Sequence, residues 1–194
     1  MTTILDIGYR STHYWLVGGG ASYLLVDMGW PGSLGMMKAN LKRMGVPIGK
    51  LAYAFATHYH MDHAGLGEEL KREGVPLLVL DVQVSAIPLM KPFMKPQDHY
   101  LPITEQGNVV ISCAQGRALL ATLGIAGQFL HTPGHSPDSV SLLLDDGTAF
   151  TGDLPLEALA FENSTALADW QLLRQCGAKR SEEHTSELQS RQVI

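Results

Sequence analysis

Four side chains that can bind metal ions lie within six residues, directly after an apolar run. The run covers 51–56, and the segment that follows reads His58-x-His60-x-Asp62-His63. A continuous apolar run of this length predicts a buried strand. On an extended or turning loop, His58 and His60 point the same way, because side chains repeat with a period of two. His58 and His60 can bind one ion, while Asp62 and His63 on the following turn can bind a second.

Two later fragments carry the same kinds of side chain after predicted strands. Pro133-Gly134-His135 follows the strand 129–132, and Gly152-Asp153 follows the hairpin 140–151. We interpret His135 as a third ligand of the first ion. Asp153 can place one carboxylate oxygen on each of two ions. Imidazole nitrogens with carboxylate oxygens suit zinc, and also iron or manganese.

The rest of the chain predicts alternating strands and helices. From Val82 to Gln106, prolines break any long helix, so we predict a loop-rich insertion with short helical pieces and an apolar side at Met90, Phe93 and Met94. This order favours an α/β layered domain with mixed sheets. Apolar periodicity predicts strands over 4–7, 14–17, 23–26, 51–56, 77–80, 129–132, 140–144 and 148–151, and helices over 33–44, 64–73, 112–123 and 163–176.

His-x-His-x-Asp-His, then Gly-His, then Gly-Asp, in this order, resembles the metallo-β-lactamase superfamily over most of Met1–Lys179. The resemblance implies an αββα sandwich of two mixed β-sheets flanked by helices, with metal ligands on loops at one sheet edge. It implies two divalent cations, with zinc favoured. It assigns the first ion to His58, His60 and His135, the second to Asp62 and His63, and the bridging position to Asp153.

The same resemblance implies further roles. Asp62 would be catalytic as well as a ligand, by orienting the attacking water. Asp27, which ends a strand, would orient a metal ligand by hydrogen bonding. Tyr100 lies in the insertion where the family often places substrate contacts. Asp138 is interpreted as a support of the turn after His135.

The C-terminal segment Arg180–Ser190 reads RSEEHTSELQS. This string resembles the translation of a common sequencing-library adapter. We therefore predict a domain over 1–179 and a non-native tail over 180–194. The domain would then lack the family's last strand and the loop that supplies its last histidine ligand. His184 lies inside the tail and is not assigned as that ligand.

The implied reaction is hydrolysis by a metal-bound hydroxide, which needs no serine or cysteine nucleophile. Asp153 stands where some true β-lactamases use cysteine or serine. This disfavours β-lactams and favours an ester, thioester or lactone, as in glyoxalase II-like and lactonase-like enzymes. Two alternatives stay open: an oxidoreductase with a single iron, similar to sulfur dioxygenases, and a non-catalytic metal-binding remnant. Metal identity separates them.

Composition limits the partners. The formal net charge is −5, and the basic residues are scattered, so we predict neither a nucleic acid nor a membrane partner. No basic leader precedes an apolar stretch, and no apolar run could span a bilayer. Cys113 and Cys176 lack metal or redox spacing, which favours reduced thiols. We expect a cytoplasmic protein with a small-molecule substrate.

Overall fold

The computed structural model describes residues 2–8, 13–19 and 21–181. They form two β-sheets packed face to face, with helices on the outer faces. The strands are β1 (Thr3–Asp6), β2 (Trp15–Gly18), β3 (Tyr23–Val26), β4 (Leu51–Phe55), β5 (Leu77–Leu80), β6 (Asn108–Ile111), β7 (Gly127–His131), β8 (Val140–Leu144), β9 (Thr148–Phe150) and β10 (Arg180–Ser181). The helices are α1 (Leu34–Arg43), α2 (Met61–Ala64), α3 (Gly67–Arg72), α4 (Cys113–Thr122) and α5 (Ser164–Gln175).

Both sheets are mixed. The first has the order β1-β2-β3-β4-β5-β6, with β1 to β3 antiparallel and β3 to β6 parallel. The second has the order β10-β9-β8-β7, in which only the β10–β9 pair is parallel. The predicted α/β sandwich of two mixed sheets flanked by helices is therefore confirmed.

Alternation along the strands separates the core between the sheets from the cores under the helices. Leu24 and Val26 of β3 face the second sheet, whereas Leu25 between them faces the helices. In β8, Leu142 faces the first sheet and Leu143 faces α5. Because β3 and β8 are buried on both faces, each reads as a nearly continuous apolar run rather than as an alternating one.

The helices complete the two outer layers. On the first sheet, α1 and α3 contribute Met37, Leu41 and Leu70 to the core under the helices. On the second sheet, α5 packs Trp170 and Leu173 against the outer face. This is the spacing that the amphipathic pattern predicts.

The structure differs from the sequence prediction in two places. The helix predicted over 64–73 begins later, as α3 at Gly67, and Ala64 is the last residue of the separate helix α2. The two helices are not continuous, because the carbonyl of His63 accepts a hydrogen bond from the backbone N–H of Met28 at 2.7 Å. Strand β6 was not predicted at all. It is an edge strand with Val110 52% exposed, and its pairing with β5 determines its conformation.

The segment 82–106 has the short helical pieces that its prolines predict. They are 3₁₀ helices over Ile87–Phe93 and Pro96–Asp98. At the C-terminus, the backbone of Arg180–Ser181 pairs with β9, two residues beyond the predicted domain end. The remainder of the predicted tail, 182–194, lies outside the described residues. Among the described residues, no helix is long and apolar enough to cross a membrane.

Removal of a side chain from the core between the sheets should destabilise the chain strongly. Phe55 is fully buried, and its ring centroid lies 4.8 Å from that of Phe129. We expect Phe55→Ala to lower the free energy of unfolding by about 3–5 kcal/mol, because it leaves a cavity. Denaturant titration followed by circular dichroism measures this. Val110→Ala on the exposed edge strand is the control, and equal losses in both variants would contradict the layering described above.

Candidate metal centre

Three loops bring the predicted metal ligands together. Thr57 to His60 connect β4 of the first sheet to α2, and His63 lies within α2. The loop after β7 carries His135, and the loop after β9 carries Asp153. Ligands from both sheets therefore meet at one edge of the sandwich. The backbone N–H of Val140 donates to Thr57 O at 2.8 Å and ties the two sheets together there.

Three imidazole nitrogens form the first ligand group. His58 Nε2 and His60 Nδ1 lie 3.0 Å apart, and His135 Nε2 lies 3.2 Å from the same His60 nitrogen. In a tetrahedral zinc site with Zn–N bonds of about 2.0–2.1 Å, ligand nitrogens lie roughly 3.4 Å apart. The observed spacing fits one such ion with little movement. The predicted first ligand set is thus brought together.

A second ligand group lies beside the first and contains the Asp153 carboxylate. Asp153 Oδ1 is 3.2 Å from His63 Nε2. Its other oxygen, Oδ2, is 4.0 Å from His58 Nε2 and 3.8 Å from His135 Nε2. One carboxylate oxygen thus faces each group. This is the arrangement a bridging carboxylate needs.

His58 and Asp62 lie close to both ligand groups. By spacing alone, His58, His63 and Asp153 also form a group of possible ligands. Because Nε2 of His58 has one lone pair, it can bind one ion only. If it serves the first ion, the second retains His63 and Asp153, with Asp62 nearest. Asp62 Oδ2 is 3.7 Å from His63 Nε2.

Asp27 supports this cluster through hydrogen bonds from its buried carboxylate. It is 1% exposed and adopts a left-handed backbone conformation, with φ of 59°. Its carboxylate accepts hydrogen bonds from the Thr57 N–H at 2.7 Å and from His63 Nδ1 at 2.9 Å. The Thr57 hydroxyl also donates to it and lies 3.2 Å from His58 Nδ1. These contacts leave Nε2 of His63 and of His58 directed at the cluster.

Burial and charge shift the pKa values of His58 and His135 in one direction and that of His63 in the other. Burial lowers the pKa of His58 well below its usual range, and the neighbouring histidines lower it further. Burial likewise lowers the pKa of His135. For His63, burial alone would lower the pKa, but the charges and hydrogen bonds of Asp27 and Asp153 raise it well above its usual range. These lowered pKa values favour the neutral form of His58 and His135, which is the form that ligates metal.

Two supporting residues link the ligand loops, and one of them was missed by sequence analysis. Gln83 is fully buried, and its amide donates to the carbonyls of Ala56 and Asp138 at 2.9 and 3.3 Å. Asp138 accepts from the Tyr59 N–H at 2.7 Å and from the Ser136 hydroxyl at 2.9 Å. Asp138 thus supports the turn after His135 and also fastens the loop of His58 and His60. A lone glutamine after the apolar strand β5 was the available signal for Gln83.

Helix α5 fixes the other side of the His135 turn. Asp169 accepts from the Gly134 N–H at 2.6 Å, and the Asn163 amide donates to Gly134 O at 2.8 Å. A Cβ at position 134 would lie 2.5 Å from Ala166 Cα, so the close approach requires glycine. Asp169 was also missed, although an aspartate on the apolar face of α5 was a visible signal. Burial raises its pKa.

The remaining predicted residue, Tyr100, lies apart from the ligands. It is half-buried and packs against the core under the helices. A cavity of about 430 Å³ opens beside the cluster, and Tyr100 is not among its lining residues. His60 and Asp62 do line it.

The contact with Asp27 raises the pKa of His63, and this effect can be measured. In chelator-treated protein, Asp27→Asn should lower the pKa of His63, because the variant removes the neighbouring charge; NMR titration measures it. A group whose pKa is raised by folding stabilises the fold fully below its unfolded pKa, about 6.5, and this stabilisation is lost as pH rises through the folded pKa. The free energy of unfolding of the wild type should therefore fall more steeply with rising pH than that of Asp27→Asn.

Asp6→Asn is the matched control for this experiment. Asp6 accepts from His13 Nδ1 at 2.7 Å, in a His–Asp pair of its own. Its hydrogen bond raises the pKa of His13 against the opposing effect of burial. The control should change His13 and leave His63 unaffected. An unchanged His63 pKa in Asp27→Asn would contradict the role assigned to Asp27.

Curated relatives are similar in sequence to most of this chain. The lactamase-like protein nscB of Trichophyton rubrum is 31% identical over 147 residues, which cover 74% of this chain and 38% of that protein. The lactamase-like protein notP of an Aspergillus species is 29% identical over 147 residues, with the same two coverages. The chain thus spans about two fifths of the length of these relatives.

Solved structures share the fold. A metallo-beta-lactamase family protein from Thermus thermophilus has a TM-score of 0.67 at 17% identity, over 93% of this chain and 71% of its own. The AiiA protein of B. thuringiensis, crystallised with N-decanoyl-L-homoserine at its active site, has a TM-score of 0.61 at 21% identity, over 90% and 83%. The family model described as the metallo-beta-lactamase superfamily matches residues 7–170. The chain therefore belongs to the metallo-beta-lactamase superfamily.

Proposed function

We propose that this chain is a metal-dependent hydrolase that cleaves an ester, thioester or lactone bond of a small molecule. The observation that carries the proposal is the Asp153 carboxylate, which has one oxygen toward the His58 and His135 nitrogens and the other toward Nε2 of His63. Such an arrangement suits two adjacent divalent cations, and zinc is the ion that these donors favour.

The ligands divide between the two cations according to their distances. His58, His60 and His135 would hold the first, His63 with Asp62 would hold the second, and Asp153 would contribute to both. When bound, a pair of such cations polarises a carbonyl and lowers the pKa of water toward neutrality. Asp138 and Gln83 keep the loops of the first group in place, so the ligands are preorganised.

Asp62 is the residue to which we assign proton handling. Its side chain is 32% exposed and lies where the cavity meets His63. A carboxylate there can accept a hydrogen bond from the attacking water and take up its proton. The buried partner Asp27 cannot do so, because its oxygens are occupied by Thr57 and His63.

Two other functions remain as alternatives. A mononuclear iron oxidoreductase similar to sulfur dioxygenases would use one cation, and a non-catalytic metal-binding protein would use none for chemistry. The carboxylate between two ligand groups favours two ions over one. The fold shared with AiiA, which was crystallised with N-decanoyl-L-homoserine, makes a lactone a useful test substrate. We propose a cytoplasmic location because Cys113 and Cys176 lack metal or redox spacing, and no nucleic acid or membrane partner because the net charge is −5.

Metal content tests the proposal first. Elemental mass spectrometry of the purified chain should find about two zinc ions per chain. The double variant His58→Ala/His60→Ala should lose at least the first ion, while His99→Asn at an exposed position should keep both. A single iron would favour the dioxygenase alternative. No bound metal at all would overturn the proposal.

The role of Asp62 is tested by Asp62→Asn. The amide has nearly the same shape but cannot take up a proton, so we expect kcat to fall by about 10²-fold or more with KM little changed. Hydrolysis of p-nitrophenyl esters and a lactone by the zinc-loaded protein measures this. Zinc content is measured on the same sample. A proportional loss of zinc would assign Asp62 as a ligand only.

A further inference from the structure

A cavity beside the metal centre is continuous with it. The cavity holds about 430 Å³, within the range of about 300–1,000 Å³ of small-ligand sites. It lies between the loop of His60, the 3₁₀ helix Ile87–Phe93 and the turn Ser136–Asp138. Because His60 and Asp62 belong to both the cavity and the metal centre, a group bound in the cavity would adjoin a bond held at the ligands.

One wall of the cavity is almost entirely apolar. Ala86, Leu89, Met90, Phe93 and Met94 form it. Leu89 is 63% exposed and Phe93 is 72% exposed, whereas Met90 is buried and belongs to the core under the helices. Large apolar side chains held at the surface next to a cavity are typical of ligand-binding grooves. The buried Met90 anchors this wall to the first sheet.

The charged groups of the cavity are acidic. Asp62 and Asp138 line it, and no lysine or arginine is among its described lining residues. The Asp138 carboxylate already accepts from the Tyr59 N–H and the Ser136 hydroxyl. Lys91 and Lys95 belong to the same segment of chain, but both are exposed and neither lines the cavity. An anionic group against the apolar wall, away from the metal ligands, would therefore lose hydration and gain no ion pair from a lining side chain.

We propose that this cavity binds the uncharged, apolar acyl chain of the substrate and discriminates against substrates that carry a carboxylate or phosphate at that place. The inference rests on the proposed hydrolase function and narrows its substrate class. Phe93 and Leu89 determine this specificity, because they form the open part of the apolar wall.

Phe93→Ala has a matched control elsewhere on the surface. Phe161 is also 72% exposed and lies on the 3₁₀ helix Glu157–Glu162, outside the lining of the cavity. Both substitutions remove one exposed benzyl group and little core packing. Loss of apolar surface in general would affect both variants equally, whereas loss of the cavity wall affects only Phe93→Ala.

The first experiment compares three esters with the zinc-loaded protein: p-nitrophenyl acetate, p-nitrophenyl hexanoate and the p-nitrophenyl monoester of adipate, which is hexanoate with a terminal carboxylate. Hydrolysis of the hexanoate consumes one water and yields hexanoate, p-nitrophenol and one proton. Since each buried methylene favours binding by up to about fourfold, kcat/KM for hexanoate should exceed that for acetate by about tenfold or more. The adipate monoester should react no faster than acetate.

In Phe93→Ala, kcat/KM for hexanoate should fall by about fivefold or more, consistent with the loss of apolar contact area. The kcat/KM for p-nitrophenyl acetate should change by less than about twofold, since its acyl group reaches only the metal centre. Phe161→Ala should resemble wild type with all three esters. Equal rates for hexanoate and the adipate monoester, or equal effects of the two variants, would overturn the inference and leave the proposed hydrolase function standing.

The second experiment measures binding without chemistry. Hexanophenone has an acyl chain and an aryl group but no bond that a hydrolase cuts. Its Kd for chelator-treated protein is measured by ligand-observed NMR. We expect Phe93→Ala to weaken binding by about threefold or more and Phe161→Ala to leave it unchanged. If this pattern holds but no ester is hydrolysed, the cavity inference stands and the proposed function fails. If hexanophenone binds equally to all three proteins, or to none, the cavity inference fails.

Discussion

The hydrogen bonds accepted by the buried carboxylate of Asp27 are the contacts on which the metal centre depends. Asp27 follows β3, and it holds the first residue of the His58 loop through Thr57 and the α2 helix through His63. A buried carboxylate without partners is costly, so these three elements are fastened together whenever the chain is folded. The left-handed conformation at Asp27 directs its carboxylate toward both partners. His58 and His63 are thus oriented by a residue at the end of β3, directly or through Thr57.

The metal centre also depends on the packing of the two sheets. The ligands of the first group come from loops after β4 and β7, which belong to different sheets. Their spacing of about 3 Å therefore requires that the sheets pack at one fixed separation, which the apolar core between them provides. Gln83 and Asp138 then link the two loops across this junction, and α5 fixes Gly134 from outside. Stability and ligand geometry are consequently coupled.

The insertion between β5 and β6 has a different character. Its 3₁₀ helix keeps one side chain, Met90, in the core and leaves Leu89 and Phe93 at the surface beside the metal centre. Leu89 and Phe93 bury little surface in the folded chain, which agrees with the ligand-binding role proposed for this wall. Opposite that wall, acidic groups belong to the ligand loops. The centre therefore combines a polar, preorganised half with an apolar half that can vary without disturbing it.

The sequence by itself determined most of the elements and the family. Apolar runs predicted the strands β3 and β5 with their observed bounds, and the spacing of His58 and His60 predicted a ligand pair, while the resemblance to the family implied that the loops of His135 and Asp153 would meet it. These signals are local, because a strand buried on both faces and a ligand pair two residues apart are properties of a short segment. The sequence could not predict the edge strand β6 or the break between α2 and α3, since pairing with β5 and the hydrogen bond from Met28 decide them. Only the tertiary structure decided the roles of Gln83 and Asp169 and the presence of the apolar cavity, because each of these depends on the distance between segments that are far apart in the chain.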